Sequence, residues 1–133
     1  MQGANFEVQE EYPLKEETGM LIGLGYEIQR HLGPGFLEIV YKDAYEYELQ
    51  LNEVPYNREK QFDVNYKGKI LDHKFFADFV VLNDIVLEIK AKSGGIAPED
   101  LAQTINYLKV SGCKVGLILN FAKSKLEIKR VVF

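Results

Sequence analysis

The sequence has no tryptophan and a single cysteine, Cys113. No disulfide can close within the chain, which argues against a stapled secreted scaffold. Beside Val110 and Val115, Cys113 reads as a small core residue rather than a nucleophile. The two histidines, His31 and His73, are far apart and lack cysteine partners, which argues against a structural zinc site. No apolar run approaches the ~20 residues of a membrane span. The N-terminus is acidic where a secretion signal would be basic. A cytoplasmic protein with no membrane partner is expected. An excess of positive charge is also missing: the net charge is −4, which opposes a hold on nucleic acid by bulk electrostatics.

What is present is ordinary globular usage, with 47% hydrophobic and 27% charged residues in 133, enough for one domain (1–133) with a real core. The charge is unevenly placed. Glu7, Glu10, Glu11, Glu16 and Glu17 against Lys15 carry the whole net charge. Lys109, Lys114, Lys123, Lys125, Lys129 and Arg130 face only Glu127 in the last third. Such a basic third could track a phosphate backbone, although charge runs are usually solvated faces.

Residues 1–14 show no period and read as a loose leader. From Glu16 a helix is expected with Leu21, Leu24, Ile28 and Leu32 as its apolar stripe. Gly19, Gly23 and Gly25 weaken it or let another element approach closely. Gly33-Pro34-Gly35 ends it. A second helix is expected over about 36–52, with Leu37, Val40, Ala44, Tyr47 and Leu51 packed on a sheet. Glu38, Tyr41 and Tyr45 form a second stripe beside it. Residues 56–92 read as a three-stranded antiparallel meander with a tight turn at Lys67-Gly68. Tyr56, Arg58, Lys60 and Phe62 would share a strand face, suited to nucleic acid or, more commonly, to an amphipathic edge. Pro98-Glu99-Asp100 opens a third helix, buried along Leu101, Ile105 and Leu108, with Gln103 and Tyr107 one turn apart. Residues 114–121 suit a central buried strand, and 126–133 a final one.

Residues 75–91 are the most informative stretch. Two apolar, β-branched runs flank an Asn83-Asp84 turn signal. Alternation puts Glu88 and Lys90 on one face. Asp78 joins them if the connection is odd in length, and that arrangement is the one expected. Burying two carboxylates and an ammonium in so apolar a hairpin is costly without a purpose. A hard divalent cation held by Asp78 and Glu88 would supply one. An ordinary solvated hairpin also carries Glu-x-Lys, so the hairpin alone does not decide.

Gly35, Glu38 and Tyr41 spell G-x-x-E-x-x-Y, preceded by His31-Leu32-Gly33-Pro34. This resembles the signature of the small GxxExxY proteins, grouped with the PD-(D/E)XK or restriction-endonuclease-like nucleases. The resemblance continues in order through Asp78, Glu88-Ile89-Lys90, Gln103 and Tyr107, Gly116-Leu117, Asn120-Phe121 and Arg130, over roughly residues 18–133. The proline that names the superfamily is Ala77 here, which leaves the carboxylate in place.

The resemblance implies an α/β fold with a restriction-endonuclease-like αβββαβ core, a mixed sheet flanked by helices, and an extra N-terminal helix. It implies a metal-dependent nuclease acting on nucleic acid, with DNA ahead of RNA. Asp78, Glu88, the Ile89 carbonyl and Glu38 would hold Mg²⁺, with Mn²⁺ as a substitute. Lys90 would orient the attacking water, while Gln103 and Tyr107 position the phosphodiester. So short a chain leaves little for a recognition domain, which points to a homodimer or a protein partner. Two other readings stand beside it: a non-catalytic nucleic-acid-binding or repair-accessory module, and an interaction protein whose charged cluster is an internal salt-bridge network.

Overall fold

A computed structural model describes residues 12–133. The leader reading falls mostly on residues 1–11, outside the described residues. Two helices come first, α1 (Lys15–Leu32) and α2 (Glu38–Leu51). Strands β1 (Tyr56–Phe62), β2 (Asn65–Tyr66), β3 (Lys69–Ile70), β4 (Phe75–Val81) and β5 (Ile85–Lys90) follow. Helix α3 (Pro98–Ser111) then leads to β6 (Val115–Asn120) and β7 (Glu127–Val132). The main sheet has the order β1-β4-β5-β6-β7. Only β5 and β6 run parallel, joined by the α3 crossover; the other pairs are antiparallel. This is a mixed α/β sheet flanked by helices, consistent with the restriction-endonuclease-like fold expected from the sequence.

The meander is present with one addition. The Lys67-Gly68 turn folds its neighbours into a separate small hairpin, β2 with β3, so β1 pairs with β4 across it. Both turn residues have positive φ, and the Asn65 carboxamide accepts the Gly68 N–H at 2.9 Å.

Each face of the sheet has its own core. Leu21 and Ile28 of α1 and Tyr41, Tyr45 and Leu49 of α2 pack on Phe79, Val81, Leu87, Ile89, Leu117 and Leu119. Tyr107 and Leu108 of α3 pack on the opposite face with Ala77, Val80, Val86 and Ile118. Every residue of β6 is buried, as expected for the central parallel strand. Cys113 is buried at the end of this second core, as expected.

The buried stripe of α2 differs from the expected one. Leu37, Tyr47 and Leu51 are 76%, 60% and 58% exposed, and Tyr41, Tyr45 and Leu49 are fully buried instead. Two stripes of equal period compete on this helix, and the phenols can take the buried side because each hydroxyl finds a carbonyl acceptor. Tyr45 donates to Leu21 O, and Tyr41 donates to Gly33 O at 2.6 Å. Helix α3 shifts similarly: Thr104 and Tyr107 are buried with Leu108, while Leu101 and Ile105 are half-buried.

The face shared by Tyr56, Arg58, Lys60 and Phe62 does not form. Tyr56 packs with the α2-side core and Phe62 with the α3-side core. Strand β4 switches in the same place: Phe75 and Ala77 lie toward α3, whereas Phe79 and Val81 lie toward α2. In a regular strand, residues two apart share a face. The switch centres on Glu59, whose φ is 54°, and on Asp78 opposite it. Arg58 is held by Asp43 and Glu46 of α2, both at 2.8 Å, so its guanidinium serves the fold.

Candidate metal and catalytic site

The β4–β5 register runs Val81↔Ile85, Val80↔Val86, Phe79↔Leu87, which leaves the odd-length connection 82–84 and sets Asp78 opposite Glu88. The left-handed turn residues are Leu82 and Asn83, one position earlier than the turn signal suggested. Past Phe79 the ladder changes character. The Asp78 N–H donates to Glu88 Oε2, and the Ile89 N–H donates to Asp78 Oδ2, each at 2.8 Å. The two carboxylates therefore clamp one another's strands. Both are buried, with Asp78 at 8% and Glu88 at 3% exposure.

Charge this deep needs compensation. Burial, and then the Asp78 charge beside it, push the Glu88 carboxyl well above the usual carboxylate range. Lys42 of α2 places its Nζ 2.8 Å from Asp78 Oδ1 and 3.4 Å from Glu38 Oε2. Burial disfavours that ammonium, but Asp78, Glu59 and Glu38 outweigh it and the Lys42 pKa rises. Sequence reasoning missed Lys42. It sits four residues after Glu38 on the same helix face, which was the available signal. Glu59 was missed as well, because nothing in its sequence context signals a left-handed residue inside a strand.

Lys90 does not pair with Asp78. Its Nζ lies 3.8 Å from Asp100 Oδ1, while Lys92 holds Asp100 Oδ2 at 2.7 Å. Asp100 also accepts the Ala97 N–H at 2.8 Å, so one buried carboxylate both starts α3 and fixes the lysine strand. The sequence marked Asp100 only as a helix-start acid. Asn120 completes the frame: its carboxamide pairs with both Lys92 N and Lys92 O at 2.9 Å. With the Phe121 N–H donating to Lys90 O at 2.9 Å, the end of β5 is pinned.

Tyr107 is 4% exposed and packs edge-on against Phe75. Burial, and then the charges of Glu88 and Asp78, raise its pKa, so the phenol stands near the acidic pair as a neutral donor. Gln103 lies on the exposed side of α3. Glu38 stands at the margin, its side chain 41% exposed and joined to the pair through Lys42. The structure thus brings Asp78, Glu88, Ile89 and Tyr107 together, with Glu38 at the rim and Lys90 alongside on Asp100.

The last residue of the G-x-x-E-x-x-Y run acts as a strut. Tyr41 donates to Gly33 O, accepts the Phe36 N–H at 3.3 Å and stacks on Phe121 at 4.8 Å. These contacts tie the Gly33-Pro34-Gly35 turn to the residue that follows β6 and fix the start of α2, the helix that carries Glu38 and Lys42.

Among the described residues no three His, Cys, Asp or Glu side chains converge as a ready-made metal cluster. The donors present are hard oxygens of two neighbouring carboxylates, and an ammonium already stands against one of them. That chemistry fits a hard divalent cation.

The chain is similar in fold to the protein in "Crystal structure of SSO0001", with a TM-score of 0.58 and 20% identity over 93% of this chain. It spans 61% of the length of that protein. No curated protein matches it. A family profile described as the PD-(D/E)XK nuclease superfamily matches residues 15–131, from the first residue of α1 into β7. The chain belongs to the PD-(D/E)XK nuclease superfamily.

Proposed function

We propose that the protein is a metal-dependent nuclease that hydrolyses phosphodiester bonds, with DNA ahead of RNA as substrate, and that its narrower group is that of the GxxExxY proteins. The observation that carries this reading is the interlocked Asp78–Glu88 pair: two buried carboxylates on adjacent strands, each accepting the other strand's amide. Asp78, Glu88 and the Ile89 carbonyl would hold Mg²⁺ or Mn²⁺, with Glu38 at the rim. Bound there, the ion would supply charge neutralisation on the phosphate and a nucleophile at neutral pH.

The chain's own groups do the rest. Lys90, set in place by Asp100, orients the attacking water and offsets negative charge developing on the phosphate. Tyr107, neutral and buried beside the pair, donates to a phosphate oxygen. Gln103, one turn earlier and exposed, meets the strand as it enters. The burial of Asp78 and Glu88 keeps bulk water from screening these interactions.

A cytoplasmic location and a homodimer or protein partner are part of the same proposal; no helix among the described residues is long and apolar enough to cross a membrane. The Lys42–Asp78 contact favours one other reading, a nucleic-acid-binding or repair-accessory module without turnover, in which the lysine permanently replaces the ion.

A cleavage assay on labelled DNA and RNA with Mg²⁺, Mn²⁺ or chelator separates the two. The nuclease cuts only with divalent ions, and Lys90→Ala lowers the rate by about 10²-fold or more, as loss of one preorganised charge commonly does. Binding without cleavage under either ion selects the non-catalytic module.

A further inference from the structure

Lys42 is the cation in contact with this site to which the sequence motifs gave no role. Its side chain is 14% exposed, and its ammonium lies within ion-pair distance of Asp78 and Glu38. The other lysine of the site, Lys90, has its nearest carboxylate partner in Asp100, at 3.8 Å. The cation in direct contact with the pair therefore comes from α2, while Lys90 of β5 acts on Glu88 through its charge alone. The ammonium stands on Asp78 Oδ1, a carboxylate oxygen that the proposed function needs for an ion.

We infer that Lys42 is the resident cation of the acidic pair and that a divalent ion enters by exchange for it. The inference rests on the metal-dependent reading of the site and adds how that site is controlled. An ammonium and a divalent ion sharing one carboxylate oxygen would stand a few ångström apart in half-buried surroundings, where their repulsion is weakly screened. One of them must leave. Lysine has a long flexible stem, and Glu38, one helical turn earlier and more exposed, already offers it a second partner. On exchange the ammonium stays with Glu38 at the rim, where a phosphate approaches. Glu38 then acts as the holder of the displaced lysine.

The arrangement has two consequences. The metal-free protein folds without an ion, because its buried carboxylates already face a cation. Metal affinity is lowered by whatever it takes to lift Lys42 off Asp78.

The test is a calorimetric titration of Mn²⁺ into the metal-free full chain, paired with thermal midpoints with and without Mn²⁺. Lys42→Met is expected to bind Mn²⁺ at least about tenfold more tightly than the parent and to gain more stability from it, since the competing pair is gone. Lys42→Arg restores the weaker parental affinity. A residue with a merely structural role would do the opposite, loosening the site when removed. If Lys42→Met does not fold without metal, Lys42→Gln, which keeps a polar contact to Asp78, carries the titration to the same expected result. Equal or weaker affinity in the variant, with clear binding to the parent, overturns the exchange and leaves the metal site standing. No Mn²⁺ binding to either protein overturns the exchange and the metal-dependent reading together.

Discussion

Tyr41 and Glu88 behave in ways their positions in the sequence conceal. Tyr41 has the look of a site residue, yet its hydroxyl is bound between Gly33 O and the Phe36 N–H and its ring lies on Phe121. Tyr41→Phe removes both hydrogen bonds and leaves a half-buried carbonyl without its donor. It should cost about 1 to 3 kcal/mol, read as a lower midpoint in urea unfolding with an unchanged slope. Glu88 carries a pH signature. An unfolded chain ionises it near the ordinary 4.5, whereas the folded site holds its proton up to about 8, because of burial first and the Asp78 charge second. Between those values the native state binds more protons than the unfolded one, so this group's contribution to stability is full below the lower value and is lost as pH rises through the upper. Glu88→Gln keeps the acceptor for the Asp78 N–H and cannot ionise. In metal-free buffer it should match the parent in thermal midpoint at pH 4 to 5 and exceed it at pH 8. A parent that is equally or more stable than the variant at pH 8 would contradict this.

At the scale of elements, what the sequence revealed depended on whether one pattern or two were available. The order of helices and strands, the buried β6 and the odd β4–β5 connection were legible, because each rests on a single period or parity. The buried face of α2 was not, since two stripes of equal spacing compete and the outcome turns on where two phenol hydroxyls find carbonyls. The face switch at Glu59 and Asp78 was hidden as well: no glycine marks it, and a left-handed glutamate inside a strand is a tertiary effect. Of the site, Glu88 and Lys90 could be read from alternation along one strand and Asp78 from the odd connection, while Lys42 and Asp100 needed the packing of helices on the sheet. Close packing also sets α3. A Cβ on Gly116 would come within 2.4 Å of Thr104 Cγ2, so β6 offers α3 a bare stretch of backbone at which to seat. Gly116→Ala should destabilise by about 1 to 3 kcal/mol through overpacking, and adding Thr104→Ala should recover part of that loss. Additive losses in the double variant, measured by chemical denaturation, would show that the two residues do not meet.

For the whole molecule, the acidic pair is where all the layers come together. Helix α2 brings a cation to it, β4 and β5 supply its carboxylates, α3 brings Tyr107 and the Asp100 that holds Lys90, and β6 pins the strand end through Asn120. The basic residues of the last third are partly occupied. Lys114 and Lys123 lie 3.8 Å from Asp84 and Glu127, and Arg130 donates to Pro13 O. Grip on a nucleic acid therefore falls to a smaller set of charges than the sequence count suggests, and binding should weaken with salt less steeply than six free cations would give. The most direct measurement of the central claim is anomalous diffraction from a crystal soaked in Mn²⁺. It should show a peak shared by the Asp78 and Glu88 carboxylates, with Lys42 moved off Asp78. A crystal with no peak at the pair and Lys42 still seated on Asp78 would contradict the account.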